Sequence, residues 1–387
     1  MKIHELEYHN KATGWHLIKT RLLDLTLFVG VSGVGKTEIL KTILTLEGIC
    51  FGQHEHVLNG VTWDVLFATQ DKTVYRWTGK YEYIRDVSQY RSIRNRNSNH
   101  EIPDFGGSLQ IPKLEDERLS KEDTLIFQRN ASHVEFNIDN ALQTFPGISP
   151  YKSVLSLFTE QEDILPVLQS FKRIELFEPP ETIYSVRGVS DMLHNAQKHE
   201  MTLEQIRQSA KLPIGKLFLT YIHVPDVFHR VKDDFINVFP SVRDIRFAIN
   251  QEDFLNLQIR EHGTDWIPEE QISSGMLTTL THLAQMRLIA DGSVMLIDEF
   301  ENSLGVNCLD VVADILLSKE RDLQYIITSH HPYIVNNIPM EYWKIVTRTG
   351  SAVSTRSAAD LHLGKSKHEA FLQLINSEEF TEGIRAS

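Results

Sequence analysis

Residues 30–37 read GVSGVGKT, and this stretch guides the interpretation of the whole chain. It matches the phosphate-loop pattern, in which a glycine and four further residues precede Gly-Lys-Thr. An apolar run at 23–29 leads into the stretch, and a helical pattern at 38–46 leads out of it. The motif therefore lies between a predicted strand and a predicted helix, which is the context that its chemistry requires.

The residue types of this loop explain how it binds phosphate. Its glycines let the backbone turn tightly, so that N–H groups point at phosphate oxygens, and the start of the following helix adds the positive end of a dipole. Lys36 can reach the β- and γ-phosphates, and the Thr37 hydroxyl can ligate Mg²⁺. The residues assigned to nucleotide binding are Gly30, Ser32, Gly33, Val34, Gly35, Lys36, Thr37 and Glu38.

A second motif, SVMLIDEFENSL, occupies residues 293–304. Four apolar residues, 294–297, form a predicted buried strand that ends in Asp298 and Glu299. Acidic residues at the carboxyl end of a strand lie where ligands bind in open α/β sheets. We assign Asp298 to holding Mg²⁺ and Glu299 to polarising the water that attacks the γ-phosphate; the alternative is a pair of solvated carboxylates.

Two further motifs flank the acidic strand in sequence. Residues 272–276 read ISSGM and precede an apolar helix, and residues 325–332 read YIITSHHP, a predicted buried strand that ends at His330. Adjacent side chains at a strand end point apart, so only one of His330 and His331 is expected to face a ligand, and the other to be structural. The order along the chain is phosphate loop, serine-glycine motif, acidic strand and histidine-ended strand.

In this order and with these residues, the chain resembles the ABC-type ATPases, and among them the SMC-like, RecF-like and OLD-like proteins. The resemblance implies an α/β fold, namely an ABC-type phosphate-loop nucleotide-binding domain with a mixed sheet flanked by helices and a helical insert. ISSGM is similar to the signature motif of this group, which implies that Ser273, Ser274 and Gly275 contact ATP. SHHP resembles the switch-histidine motif, which implies a catalytic role for His330.

Two other segments take their interpretation from the same resemblance. Residues 301–305 stand where the D-loop of the family falls. The segment 154–165 resembles the Q-loop region and makes Gln161 a candidate to bind both nucleotide and Mg²⁺. Gln70 and Gln128 also lie in the permitted interval, so the choice of glutamine stays open.

The chain also departs from the family pattern. Ser274 stands at the signature's third position, where glycine is more usual. No long heptad repeat is present, so we expect no long coiled coil of the kind that forms SMC-like arms. No carboxylate cluster follows the SHHP segment, so we expect no OLD-like nuclease domain.

The resemblance implies a homodimer or a higher homo-oligomer. In the family, two chains pair head to tail with two ATP molecules between them. The Ser273 hydroxyl and the Gly275 N–H of one chain then face the γ-phosphate that the other chain holds. ATP joins the pair and hydrolysis releases it, which is a switch based on preferential binding to one state.

The composition limits the other classes of function. Of the 387 residues 41% are hydrophobic and 24% charged, as in ordinary globular proteins. The formal net charge of −13 argues against a protein that coats nucleic acid through general basicity.

Cys50 and Cys308 are far apart and lack metal-ligand spacing, so neither a disulfide framework nor a zinc site is expected. The first residues do not form a signal peptide, and no apolar run approaches the roughly 20 residues that cross a bilayer; we expect a cytoplasmic protein without a membrane partner.

The chain is predicted to have three parts. Residues 1–150 form an N-terminal ATPase lobe with the phosphate loop, 151–240 a helical insert that includes the Q-loop region, and 241–387 a C-terminal lobe with the remaining motifs. Pro225 must break or kink the helical pattern at 214–239. For three smaller features we prefer a structural role to ligand binding. We expect Arg91, Arg94 and Arg96 to lie in a solvated loop, Trp15 to pack in the core, and residues 366–384 to form a packed helix.

The function expected from these features is Mg²⁺-dependent ATP hydrolysis coupled to dimer opening and closing. ATPases of this kind without arm or nuclease resemble the ATPase subunits of bacterial phage-defence systems such as Septu or PARIS, in which a separate effector, often a nuclease, acts on the target. The alternative is a RecF-like DNA-binding repair ATPase, and nucleic acid is left open as a partner. A scaffold that binds ATP but rarely hydrolyses it is a third reading, which Glu299 disfavours.

Overall fold

The structure of the chain is a computed structural model. It describes residues 1–53, 58–85, 111–130, 133–139, 141–177, 200–209, 212–249, 255–300, 308–318, 320–331, 335, 337–361, 369, 372–373, 376 and 383–385. Three predictions lie wholly or mostly outside the described residues. They concern the loop with Arg91, Arg94 and Arg96, the D-loop segment 301–305 and the helix at 366–384.

The described residues form 18 strands. They are β1 (Lys2–Asn10), β2 (His16–Arg21), β3 (Leu25–Val29), β4 (Val61–Ala68), β5 (Val74–Tyr81), β6 (Leu114–Lys121), β7 (Thr124–Asn130), β8 (His133–Ile138), β9 (Ala141–Pro146), β10 (Ile174–Phe177), β11 (Val242–Ile249), β12 (Leu255–Glu261), β13 (Trp266–Pro268), β14 (Val294–Ile297), β15 (Gln324–Ser329), β16 (Trp343–Thr349), β17 (Ala352–Ser357) and β18 (Ile384–Arg385).

The α-helices of the described residues are short. They are α1 (Lys36–Phe51), α2 (Val154–Leu157), α3 (Leu165–Phe171), α4 (Leu203–Gln208), α5 (Pro213–His223), α6 (Pro225–Val238), α7 (Ser274–Leu288) and α8 (Leu309–Leu317). The longest has 16 residues, so the expectation of no long coiled coil is confirmed for the part of the chain that is described. None of these helices is long and apolar enough to span a bilayer.

Pro225 separates two helices, as its chemistry predicts. α5 ends at His223 and α6 begins at Pro225. Proline has no N–H to donate within a helix, but the first helical position needs none. The break predicted within 214–239 is therefore confirmed.

The chain divides into two structural units. The first comprises residues 1–176, 292–298 and 323–387, and the second comprises residues 177–291 and 299–322. Each unit is thus built from segments that are distant in sequence.

A mixed sheet of 15 strands dominates the first unit. The order of its strands is β10-β14-β15-β3-β16-β17-β2-β1-β4-β5-β6-β7-β8-β9, and β18 pairs with β16. β14, β15, β3 and β16 run parallel, whereas β1, β2 and the strands from β4 to β9 pair antiparallel. The predicted α/β architecture with a mixed sheet is confirmed.

Three of the parallel strands, β3, β14 and β15, are buried on both faces. Every residue of β3, β14 and β15 is buried, which is the pattern expected of a parallel sheet between helices. α1 presents its apolar residues at helical spacing, and those that it buries include Ile39, Ile43, Leu46 and Ile49. The phosphate loop therefore joins two elements that the core fixes firmly.

The second unit is built from helices and a small antiparallel sheet. β11, β12 and β13 form this sheet in sequence order, and α5 packs on both α6 and α7. Phe218 of α5 and Phe247 of β11 meet edge to face, with ring centroids 5.3 Å apart. The ISSGM motif lies at the start of α7.

Candidate functional site

The phosphate loop depends on glycine at three positions. A Cβ added to Gly30 would lie 2.8 Å from the carbonyl oxygen of Val346, so only glycine fits there. Gly33 and Gly35 have φ angles of +85° and +104°, in the left-handed region that side chains disfavour. The loop thus turns from the end of β3 into the first residue of α1, Lys36.

Lys36 lies inside this loop. Its side chain is buried, and Nζ donates hydrogen bonds to the carbonyl oxygens of Gly30, at 2.6 Å, and Val31, at 3.0 Å. The loop carbonyls therefore hold the ammonium group where the backbone turns. A cation in this place can neutralise phosphate oxygens that the loop N–H groups bind.

The sheet brings three residues from different parts of the chain together. Thr37 Oγ1 donates a hydrogen bond of 3.1 Å to Asp298 Oδ1, and Thr328 Oγ1 donates one of 2.6 Å to the same oxygen. Asp298 directly follows β14, and Thr328 lies near the carboxyl end of β15, the strand between β14 and β3. Thr328 was not among the predicted site residues, although its position just before the SHHP segment was a signal for it.

This donor set suits Mg²⁺. Mg²⁺ prefers oxygen ligands and is usually held by one or two carboxylates together with waters and substrate phosphates. One carboxylate and a hydroxyl provide such oxygens here. The described residues contain no cluster of three or more His, Cys, Asp or Glu side chains that could hold a metal by themselves.

Glu299 has an unusual backbone conformation. Its φ angle is +43°, although it is not glycine. A side chain in the left-handed region costs about 1–2 kcal/mol, and such residues persist where the surroundings hold them, often at functional sites. The half-buried Glu299 therefore carries a constraint consistent with its predicted role.

The two histidines after β15 differ in exposure. The Ser329 hydroxyl is buried and accepts a hydrogen bond of 3.0 Å from the backbone N–H of His331. His330 is exposed, whereas His331 is half-buried. Of the two, His330 is thus the more accessible from solvent.

The signature residues form an exposed helix start in the second unit. The Ser273 hydroxyl caps α7 by accepting a hydrogen bond of 3.3 Å from the N–H of Met276. Ser273, Ser274 and Gly275 are exposed, and none of the described atoms lies within 4 Å of a Cβ added to Gly275. The N-terminus of a 15-residue helix attracts anions through its free N–H groups and its dipole.

The three candidate glutamines have different surroundings. Gln161 is exposed in the turn between α2 and α3, which both pack on α1. Gln70 accepts a hydrogen bond of 2.7 Å from Arg173 and lies beside Gly292, so it is at the opposite end of β14 from Asp298. The Gln128 amide donates to Glu135 within the antiparallel part of the sheet, at 2.7 Å. Gln161 remains the prediction for the Q-loop.

Trp15 lies next to the phosphate loop. Its ring centroid is 5.8 Å from that of Tyr8, and its Nε1 would lie 3.5 Å from a Cβ added to Gly35. This N–H is buried and has no hydrogen-bond partner among the described residues. Trp15 thus packs as expected, but against the loop itself, which the sequence did not reveal.

Comparisons with solved structures find distant similarities in fold. A crystal structure titled SmcHead bound to the C-winged helix domain of ScpA is 14% identical with a TM-score of 0.46, over 92% of this chain and 97% of that one. The SMC head domain from Thermotoga maritima is 10% identical with a TM-score of 0.45, over 92% and 99%. An Smc head domain with an extended coiled coil, bound to the C-terminal domain of ScpA from Pyrococcus furiosus, is 14% identical with a TM-score of 0.44, over 93% and 98%.

Among proteins with curated descriptions, none matches the chain significantly. One family profile does match, and it covers residues 25–336, from the strand before the phosphate loop to a point just after the SHHP segment. The match therefore includes all four motifs. The chain belongs to this family, AAA_21, described as "AAA domain, putative AbiEii toxin, Type IV TA system".

Proposed function

We propose that the protein is a Mg²⁺-dependent ATPase of the ABC type. The observation that carries this proposal is the convergence of Thr37 and Thr328 on one carboxylate oxygen of Asp298. A phosphate loop alone makes a nucleotide site. Asp298 accepts a hydrogen bond from the hydroxyl of Thr37, the residue after the loop lysine. Its carboxylate adds the metal-binding group that hydrolysis requires.

Each residue of the site has a proposed task. Lys36 and the loop N–H groups bind the β- and γ-phosphates, and Thr37 and Asp298 hold Mg²⁺, with Gln161 as the proposed third metal-binding residue. Bound Mg²⁺ supplies positive charge that offsets the negative charge of the transferred group. Glu299 accepts a proton from the attacking water, and His330 contacts the γ-phosphate.

We further propose that two chains form a head-to-tail dimer around ATP. Support comes from the exposed start of α7, where Ser273 caps the helix and none of the described atoms would contact a Cβ added to Gly275. This helix start can meet a γ-phosphate held by a second chain. ATP then favours the closed pair, and hydrolysis releases it.

In the cell, we propose that the ATPase is the sensor and scaffold of a bacterial anti-phage system, like the ATPase subunits of Septu or PARIS. It would regulate a separate effector, which we propose to be a nuclease. The family description names a putative toxin of a type IV TA system, which supports a role in anti-phage defence.

Two measurements test the two levels of this proposal. At the biochemical level, purified protein should bind ATP more tightly with Mg²⁺ than with EDTA, and equal affinity would contradict the metal site. At the cellular level, the protein purified from its native host should bring an effector with it, and identification by mass spectrometry names that effector. Recovery of the chain alone, together with salt-dependent DNA binding, would favour the RecF-like repair ATPase instead.

A further inference from the structure

β16 extends past the end of the strand that leads into the phosphate loop. It pairs in parallel with β3, with Trp343 opposite Leu27 and Ile345 opposite Val29. β3 ends at Val29, whereas β16 continues to Thr349. The last residues of β16 therefore run beside the phosphate loop.

One of these residues, Arg348, contacts the loop through its side chain. Arg348 Nη1 donates a hydrogen bond of 3.4 Å to the carbonyl oxygen of Gly33, and Nε donates one of 2.7 Å to the carbonyl oxygen of Gly350. The guanidinium group thus connects the turn after β16 with the middle of the phosphate loop. Its planar arrangement of donors allows both bonds from one fixed position.

β18 holds this arginine from the other side. Arg348 lies opposite Ile384, and Thr349 opposite Arg385, in a parallel pair. The Arg348 N–H donates a hydrogen bond of 2.7 Å to the carbonyl oxygen of Gly383. Cδ1 of Ile384 would lie 3.5 Å from a Cβ added to Gly33, so Ile384 lies beside this part of the loop.

These contacts act on the part of the loop that most needs support. Within the loop, the carbonyl oxygens of Gly30 and Val31 accept hydrogen bonds from Lys36, whereas that of Gly33 accepts one from Arg348. Gly33 has a φ angle of +85° and carries no side chain that could anchor it, and glycine loses more conformational entropy on ordering than any other residue. A partner that orders the loop before nucleotide arrives lowers the cost of binding.

We propose that Arg348, held in place by β18, is a positioning residue that braces the phosphate loop from outside. Nucleotide affinity then depends on residues 383–385, although they follow the phosphate loop by about 350 positions. This inference rests on the proposed nucleotide site and adds a means of regulation to it, because anything that displaces β18 weakens nucleotide binding.

The test is calorimetric titration of the full chain with the ATP analogue AMP-PNP and Mg²⁺. Arg348→Gln removes the charge and the fork of donors. A truncation after Glu382 removes β18 and leaves Arg348 in place. Arg356→Gln is the matched control, since it neutralises an exposed arginine of the neighbouring strand β17.

Both Arg348→Gln and the truncation should raise the Kd by about tenfold, which is about 1.4 kcal/mol. Combined, they should weaken binding by less than the sum of their separate losses, because both disturb the contact between Arg348 and the loop. In steady-state kinetics the loss should fall on KM, and the control should match wild type. Equal melting temperatures show that the variants are folded.

Two substitutions of Ile384 leave the chain at full length, so they control for indirect effects of the truncation. Ile384→Asp should reproduce the tenfold loss, whereas Ile384→Val should not. The inference is overturned if Arg348→Gln and Ile384→Asp bind AMP-PNP as wild type does while Lys36→Ala binds it weakly. If the wild-type chain itself fails to bind AMP-PNP, the proposed nucleotide site fails, and the brace fails with it.

Discussion

Thr37 Oγ1 lies 3.1 Å from Asp298 Oδ1, although 261 positions separate these residues in the sequence. The order of the parallel strands explains the contact, because β15 alone stands between β3 and β14. The carboxyl ends of parallel strands meet at one edge of a sheet. Thr328 of the intervening strand therefore bonds the same carboxylate oxygen.

Asp298→Asn should make Mg²⁺ much less effective in supporting ATP hydrolysis. The amide keeps the shape of the side chain but loses the negative charge that a metal ion requires. A loss of at least tenfold in Mg²⁺ affinity is expected, since even indirect partners of a metal site contribute on this scale. Titration of activity against Mg²⁺ measures it, with Asp24→Asn as the control because Asp24 is an exposed aspartate. An unchanged Mg²⁺ titration would remove Asp298 from the site.

Glu299→Gln should bind ATP but trap the closed dimer. The amide cannot accept a proton from water, and loss of a general base lowers turnover by roughly 10²-fold or more. Size-exclusion chromatography with and without ATP should show a dimer that persists in the variant. Near-normal hydrolysis without an ATP-dependent change in size would exclude this role for Glu299.

Gly275→Arg should abolish hydrolysis and leave nucleotide binding by the single chain intact. The new side chain would obstruct the γ-phosphate of a partner without touching the loop that binds nucleotide in the same chain. When this variant is mixed with Lys36→Ala, one of the two sites of a mixed dimer has an intact loop facing an intact signature. Partial ATPase activity should then return, provided that one site can act alone.

Two outcomes of this mixing experiment contradict the dimer model. Mixed dimers that demonstrably form but stay inactive would mean that the two sites are strictly coupled or that the head-to-tail arrangement is wrong. Full activity of Gly275→Arg alone would exclude a role for the signature altogether. A simple phosphate-loop NTPase would then be the better interpretation.

The stability of His282→Leu should fall less than that of the wild type when the pH is lowered. His282 is buried in α7, its ring centroid is 3.8 Å from that of Phe177, and neither ring nitrogen has a hydrogen-bond partner among the described residues. Burial lowers the pKa of this imidazole from 6.5 to about 3. The unfolded state therefore binds more protons between these values, so stability is present above pH 6.5 and falls as the pH decreases towards 3.

At pH 5 this effect of His282 on the free energy of unfolding is on the order of 2 kcal/mol. Thermal unfolding at pH 7.5 and pH 5 should show a smaller difference for His282→Leu than for wild type. The same difference in both proteins would mean that His282 does not contribute to acid sensitivity. A variant that melts lower at both pH values would show that the imidazole makes contacts that leucine cannot replace.

The sequence predicted the elements whose apolar pattern is simple. β14 has the predicted bounds, since its four apolar residues run without interruption. β6 carries no apolar pattern of this kind, because its sequence, LEDERLSK, is mostly charged. Its Glu117 is nevertheless buried and accepts hydrogen bonds from Trp77 and Val154, which no pattern of hydrophobicity can reveal.

The site was predictable where its residues are contiguous. The phosphate loop and the Asp298-Glu299 pair each lie in one short segment. Thr328 and Arg348 were missed because their places depend on which strands are neighbours, and pairing between distant segments is not written in local sequence. β10 falls in a region expected to be mainly helical, and its role as the edge strand beside β14 likewise depends on tertiary contacts.

The most direct test of the account is the rate of phosphate release from Mg²⁺-ATP by the wild-type chain and by Lys36→Ala. Lys36 Nζ lies within the loop, at 2.6 Å from the carbonyl oxygen of Gly30, and the substitution removes the cation that neutralises the β- and γ-phosphates. We predict Mg²⁺-dependent hydrolysis by the wild type and none above background by Lys36→Ala. Hydrolysis by Lys36→Ala at the wild-type rate would contradict the assignment of this loop as the ATP site.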